Sequence, residues 1–328
     1  MRIFRHYQTL PEDTRGAVVA IGNFDGVHPG HRTVINEAGL IAHDLGVPWA
    51  VLTFEPHPRR LFQPDQPPFR LTPFRAKARE IEAMGVDILI VQRFNKAFSM
   101  LEAKDFVLGA LVKGINASHI VSGYDFVFGH NRRGHCDLLL AMGEKEGFGF
   151  TAVNAIKDET GEAYSSTRVR ERLMAGDPRG AAVVLGRDFE IEGRVIRGEK
   201  RGRGIGFPTA NLTLGSTLRP MNGVYAVRVA VQEAPGEAAR PGVSPGNKKS
   251  GEEQWLPGVA NLGVRPTFGG DDIVLEVFLF DFDGDLYAKR LRVRLIDHLR
   301  PEKKFDGIDD LKAQIALDSA RAKEILAA

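Results

Sequence analysis

Gly22-Asn23-Phe24-Asp25-Gly26-Val27-His28-Pro29-Gly30-His31 decides how the first half of this chain is read. The apolar run Ala17-Val18-Val19-Ala20-Ile21 precedes it, and Val34, Ala38, Ile41, Ala42 and Leu45 recur on one helical face after it. A strand therefore turns into a helix here, through three glycines, an Asn, an Asp and two histidines. A loop of that composition lets backbone and imidazole come close to a polyphosphate, and the helix N-terminus favours its negative charge. The His-x-x-His spacing lets both rings face a group held at that point.

Outward from this stretch, strand-like and helix-like segments alternate. Trp49–Phe54 and Val86–Val91 read as buried strands, with Phe74, Ala78 and Ile81 lining a helix between them. A helix near Met100–Lys113, a strand at His119–Ser122, a helix near Leu138–Lys145 and a strand at Phe150–Ile156 continue the pattern. Repeated strand–helix units predict a Rossmann-like parallel sheet covered on both faces, with binding at the C-terminal strand ends. After Gly186 the texture changes to short β-branched and aromatic runs: Phe189–Ile196, Val224–Val231, Val274–Phe280 and Leu291–Leu295. Turns such as Asp283-Gly284-Asp285 separate them, which predicts an antiparallel barrel or sandwich. Gln232–Gln254, rich in Pro, Gly, Ala, Ser, Lys and Glu, reads as a flexible surface insertion, and Ile308, Leu311 and Ile315 begin a closing helix. The expected domains are 1–186 and 187–328.

Bulk composition sets the outer limits. A chain of 328 residues, 43% apolar and 26% charged, is globular and long enough for two cores. Its 36 glycines exceed the usual ~7% share, so tight loops should matter. A net charge of +2 gives no support to bulk nucleic-acid or membrane binding. The single cysteine, Cys136, rules out an intrachain disulfide and a multi-cysteine zinc site. Met1–Leu10 lacks the apolar core of a signal peptide, and no apolar run reaches the ~20 residues of a membrane span. These features fit a cytoplasmic protein, and they leave self-association open.

Three further stretches of the first half carry chemical groups. Phe54-Glu55-Pro56-His57-Pro58 ends a strand at the predicted binding edge. Gly123-Tyr124-Asp125-Phe126-Val127-Phe128-Gly129 offers aromatic faces and a carboxylate to a planar ligand. Ser165-Ser166-Thr167-Arg168-Val169-Arg170 opens a helix with hydroxyls and two cations, a composition that binds anions. Ser166 as a plain N-cap, with both arginines solvated, is an equally good reading of that last stretch alone. No Gly-x-x-x-x-Gly-Lys-Ser/Thr box is present, which argues against a P-loop.

Taken together and in this order, Gly-Asn-Phe-Asp-Gly-Val-His-x-Gly-His, Thr-Phe-Glu-Pro-His-Pro and Ser-Ser-Thr-Arg-x-Arg resemble the adenylyltransferase module of bacterial bifunctional riboflavin kinase/FAD synthetases. The resemblance implies that His28 and His31 contact the ATP phosphates and stabilise charge at the α-phosphorus during attack by the FMN phosphate. It implies that Gly22, Asn23 and Asp25 belong to the triphosphate loop, and that Arg168, Ser166 and Thr167 bind the departing pyrophosphate. Asp125 lies in a Gly-x-Asp-Phe-x-Phe-Gly motif that would face the nucleotide or the flavin. The loop after it, Asn131–Asp137, departs from the family pattern, so Asp137 receives no role.

The second half has its own dense cluster, Gly198-Glu199-Lys200-Arg201-Gly202-Arg203-Gly204-Ile205-Gly206-Phe207-Pro208-Thr209-Ala210-Asn211. Thr209 and Asn211, two apart on an extended segment, can offer two oxygens to Mg²⁺. From charge alone, a solvated basic hairpin or a patch touching RNA backbone is the stronger reading. The stretches that follow, including Gly258–Thr267, Leu275-Glu276-Val277 and Arg300-x-Glu302-Lys303-x-Phe305, resemble the riboflavin kinase module. That resemblance implies a six-stranded antiparallel barrel with a terminal helix, Glu276 as general base toward the riboflavin 5′-hydroxyl, and Thr209 and Asn211 holding Mg²⁺ and ATP. It places Gly202, Arg203 and Gly204 on the ATP phosphates, and Phe207, Pro208, Arg300 and Phe305 near the flavin. Phe278 stands where the family often has His. The expected activity is therefore ATP-dependent phosphorylation of riboflavin to FMN, then adenylylation of FMN to FAD. A nucleotidylyltransferase for another phosphorylated substrate, and a barrel that binds RNA through Arg194–Arg203, are the competing readings.

Overall fold

The computed structural model describes residues 1–196, 207–232, 253–267 and 270–327. The chain divides into two compact units, one of Met1–Pro67 with Thr72–Ser166, the other of Pro68–Leu71 with Thr167–Ala328.

The first unit is a six-stranded parallel sheet in the order β1-β4-β3-β2-β5-β6. Its strands are β1 (Arg2–Arg5), β2 (Val18–Ile21), β3 (Trp49–Glu55), β4 (Ile88–Arg93), β5 (His119–Gly123) and β6 (Gly149–Val153). Between them run the helices α1 (Pro29–Leu45), α2 (Pro58–Phe62), α3 (Phe74–Glu82), α4 (Lys96–Ser99), α5 (Ala103–Phe106) and α6 (Cys136–Glu146). Strand alternation divides the core between the two faces of the sheet. Val18, Ala20, Val51 and Leu89 pack with Val34, Ile35 and Ala38 of α1 and Ile81 of α3. Val19, Ile21, Leu52 and Ile90 pack on the other side with Phe106, Leu111 and Leu139. Successive strands β2, β3 and β4 run one way from the centre and β5 and β6 the other, so the loop after β2 lies at the switch point where such sheets bind ligands.

Two expected elements of the first unit change type or end early. The helix expected near Met100–Lys113 starts at Ala103 and becomes a π-helix over Val107–Ile115. Tyr7 packs so close to Gly114 in this helix that any side chain there would strike its ring. The strand expected at Phe150–Ile156 ends at Val153.

The second unit contains α7 (Ser166–Met174, its first residue grouped with the first unit), α8 (Pro178–Leu185) and a closed antiparallel barrel. The barrel order is β10-β11-β8-β7-β12-β9, built from β7 (Phe189–Ile196), β8 (Ala210–Thr213), β9 (Gly223–Gln232), β10 (Leu256–Thr267), β11 (Gly270–Leu279) and β12 (Arg290–Arg300). Phe189, Ile191, Leu212, Val227, Leu262, Leu275, Val293 and Leu295 are fully buried and fill its interior. Outside, α9 (Ile308–Ala327) lays Ala322 and Leu326 over Val224, Ala226, Val259 and Phe280. This is the six-stranded barrel with terminal helix that the resemblance implied. Pro68–Leu71 is tied to this unit by backbone bonds from Arg70 N–H to the Ser216 carbonyl (3.3 Å) and from Leu218 N–H to the Arg70 carbonyl (2.7 Å). The insertion expected over Gln232–Gln254 lies, except at its ends, outside the described residues, as do Gly202, Arg203 and Gly204.

Two half-buried histidines give the folded chain a pH signature. Burial lowers the pKa of His119 from its ordinary 6.5, against a smaller opposing pull from Glu37. Burial lowers that of His298 as well, against the Asn222 backbone and Asp297. Below about pH 6.5 the unfolded chain binds protons that the folded chain refuses, so stability is full above that pH and declines beneath it. Urea midpoints should fall as the pH drops below about 6.5, and the fall should be shallower in His119→Asn and His298→Asn. An identical slope in all three proteins would remove both rings from this explanation.

Candidate functional sites

In the first unit the β2–α1 turn is tight and left-handed. Phe24 (φ 47°), Gly26 (φ 98°) and Val27 (φ 46°) all have positive φ, which costs a non-glycine residue about 1–2 kcal/mol each. Hydrogen bonds from distant segments hold this conformation. The buried Asp25 carboxylate accepts from Thr72 N–H (3.0 Å) and from the Thr72 hydroxyl (3.4 Å), and Gly26 N–H donates to Thr72 Oγ1 (2.9 Å). Ser166 Oγ donates to the Asp25 carbonyl at 2.6 Å, so the first residue of α7 is fastened to the turn, beyond any capping role. Lys77 Nζ and Thr53 Oγ1 both donate to the Asn23 carbonyl, at 2.8 and 3.2 Å.

His28 is the N-cap of α1 and is buried, and its Nδ1 accepts from His31 N–H at 3.4 Å. A neutral ring that accepts at Nδ1 carries its proton on Nε2. The His31 ring stacks on it at 3.6 Å between centroids, 22° from parallel, and the Phe24 ring meets His31 edge-on at 5.4 Å. Two imidazoles are thus held together at the positive end of a 17-residue helix. Asp125 is exposed, with its carboxylate folded back toward Gly123. Thr167 and Arg168 follow Ser166 along α7, Thr167 exposed and Arg168 half-buried. Sequence reasoning missed Thr72 and Lys77, which come from a loop and a helix about fifty residues beyond the turn.

In the second unit the strand register supplies the arrangement. Glu276 on β11 lies directly across from Asn211 on β8 and from Asn261 on β10. Directly paired residues share a sheet face at about 5 Å, so an amide flanks the carboxylate on each side. Leu275 and Val277 are buried in the barrel interior, which puts Glu276 on the outer face with Phe278. The buried Asn211 Oδ1 finds no hydrogen-bond partner among the described residues. Thr209 and Pro208 are exposed, and the half-buried Phe207 meets Phe278 edge-on at 5.3 Å. Arg300 is held by Asp318 of α9 through Nε (3.0 and 3.1 Å) and Nη2 (2.7 Å), and its guanidinium stands 5.8 Å from the Phe305 ring. Glu302 occupies the space over Gly263, where any side chain would collide with its carboxylate, and it accepts from Asn222 Nδ2 at 3.4 Å. Among the described residues no cluster of three or more His, Cys, Asp or Glu could hold a metal ion, and no helix is long and apolar enough to cross a membrane.

The chain thus joins a parallel α/β unit, with two imidazoles at a helix N-terminus, to a closed barrel with a carboxylate between two amides, and the family matches make this pair of modules a transferase. Residues 10–168 match the family described as FAD synthetase, and residues 185–326 match the family described as riboflavin kinase. The bifunctional riboflavin kinase/FMN adenylyltransferase of Escherichia coli K12 is 39% identical over 325 residues, covering 99% of this chain and 97% of the relative. That of Pseudomonas fluorescens is 40% identical over 328 residues, covering 100% and 98%. A crystal structure titled as a macrolide-efflux protein of Streptococcus pneumoniae shares the fold with a TM-score of 0.80 and 29% identity, over 96% of this chain and 97% of that one. The chain belongs to the bifunctional riboflavin kinase/FMN adenylyltransferase family.

Thr72 tests how the turn is held. Thr72→Val removes the hydroxyl that Gly26 N–H donates to and that itself donates to Asp25. It should lower unfolding free energy by about 1–3 kcal/mol in urea titrations. A loss within error of zero would show that the turn stands without this hydroxyl.

Proposed function

We propose that the second unit phosphorylates riboflavin to FMN with ATP, and that the first unit transfers an adenylyl group from ATP to FMN, giving FAD and pyrophosphate. Family membership across both units supports the pair of activities. The stacked histidines at the head of α1 carry the assignment of adenylyl transfer to the β2–α1 turn.

In adenylyl transfer a phosphate oxygen of FMN attacks the ATP α-phosphorus, and the bond to the bridging oxygen of pyrophosphate breaks. No group of the protein needs to become covalently attached, so positioning and electrostatics are the protein's contribution. His28, with its proton on Nε2, and His31 would donate to the α-phosphate oxygens as charge builds there. Gly22, Asn23 and Asp25 would shape the triphosphate loop, while Ser166, Thr167 and Arg168 would receive the pyrophosphate. Asp125 would face the nucleotide or the flavin from the loop after β5.

In the kinase step Glu276 would accept the proton of the riboflavin 5′-hydroxyl while that oxygen attacks the γ-phosphorus and ADP leaves. Asn211 and Asn261 would orient the carboxylate from either side. Thr209 and Asn211 would hold Mg²⁺, which when bound neutralises phosphate oxygens. The buried Asn211 Oδ1, which finds no hydrogen-bond partner among the described residues, fits that role. Gly202, Arg203 and Gly204 would wrap the ATP phosphates. Phe207, Pro208 and Phe305 would flank the flavin, with Arg300 beside them, steadied by Asp318. Residues 1–186 would then serve FAD formation and 187–328 FMN formation, in the cytoplasm.

Chromatographic separation of flavins after incubation with Mg-ATP tests both assignments. His28→Ala or His31→Ala should slow FAD formation from FMN by about 10²-fold or more and leave FMN formation intact. Glu276→Gln should do the reverse. Loss of both activities in one folded variant would break the two-site assignment.

A further inference from the structure

Lys77 is wholly buried, at 0% exposure, and no activity described above uses it. It lies on the apolar face of α3, and its ammonium reaches three oxygens: the Asn23 carbonyl (2.8 Å), Glu55 Oε1 (3.2 Å) and Thr53 Oγ1 (3.3 Å). A buried ammonium requires compensation, which Glu55 at the end of β3 supplies as counter-charge. Lys77 therefore has neither the exposure nor the net charge to bind a phosphate itself.

Its bond to Asn23 falls on the backbone of the triphosphate loop. Lys77 and Thr53 together occupy both lone pairs of the Asn23 carbonyl and draw it into the protein. Because the peptide is planar and trans, the Phe24 N–H points the opposite way, out of that buried cluster. Phe24 is left-handed, with φ 47°, and rotating this one peptide would relieve it. The same rotation would turn a carbonyl oxygen toward a bound polyphosphate, where it repels. We infer that Lys77 is a positioning residue for adenylyl transfer: by locking the Asn23–Phe24 peptide, it keeps the turn in its ligand-accepting form. The inference rests on the assignment of adenylyl transfer to this turn.

Three variants and one control test it. Lys77→Met should lower kcat for FAD formation from FMN by about tenfold or more, because small misplacements of a reacting group are costly. KM for ATP and riboflavin phosphorylation should change little. Lys77→Met combined with Glu55→Gln removes both buried charges, so it should recover the thermal midpoint while kcat stays depressed. Thr53→Val removes one of the two donors and should lower kcat in the same direction by a smaller factor. Recovery of kcat to within about twofold in the double variant would overturn the inference, since charge balance alone would then explain Lys77. A parallel fall in riboflavin phosphorylation in all three variants would overturn it too, as general unfolding. His28→Ala separates the two levels of the account. If it leaves FAD formation intact, the site assignment fails, and if it abolishes FAD formation while the Lys77 variants do not, only the role of Lys77 fails.

Discussion

The turn between β2 and α1 has to bring a helix N-terminus and two imidazoles to one point within seven residues, and the first unit is built around meeting that constraint. Three of the four residues from Phe24 to Val27 are left-handed, two of them non-glycine, at a cost of about 1–2 kcal/mol each. Within the turn, Val27 N–H donates to the Phe24 carbonyl at 3.3 Å. Further bonds come from outside the turn: Thr53 on β3, Thr72 before α3, Lys77 within α3 and Ser166 at the start of α7. Each adds on the order of 1 kcal/mol, more where a charge is involved, which together is comparable to the strain. Strain held in place by long-range bonds is what pre-organised sites use, and here it leaves His28 and His31 stacked at the head of a long helix.

The barrel solves a different problem. The base proposed for the kinase step is a carboxylate on a barrel strand, and a carboxylate there has to be steadied by its neighbours. Barrel closure does this through register, placing an amide beside Glu276 on each side and reserving the inner face for Leu275 and Val277. The Arg300 guanidinium is occupied by Asp318. The two units thus carry different arrangements, two stacked imidazoles at a helix N-terminus in one and a carboxylate flanked by amides in the other.

Much of this was legible in the sequence. The alternating strands and helices, the change of texture at Gly186 and the His-x-x-His turn are local patterns, and the local physics was decisive. Strand β1 was not legible: Arg2–Arg5 is four residues at a sheet edge, and only pairing with β4 makes it a strand. Helix α8 leaves its marks in the sequence as Asp177, Pro178 and Gly186, and in the fold Asp177 accepts from Gly180 N–H, Pro178 takes the first position and Gly186 ends the helix left-handed. Lys77 also left a trace, since positions 74, 77, 78 and 81 form one stripe and a lysine stands in it among apolar residues. Its partners lie 22 to 54 positions away, so its purpose required the fold. The amides flanking Glu276 likewise depend on strand register, which no single strand contains.

The central claim is that two chemically distinct uses of ATP occur in this one chain. Incubating the intact protein with riboflavin and ATP labelled at either the γ- or the α-phosphorus addresses it directly. The γ-label should appear in both FMN and FAD, and the α-label in FAD alone. An α-label in FMN, or FAD formed without it, would contradict the account.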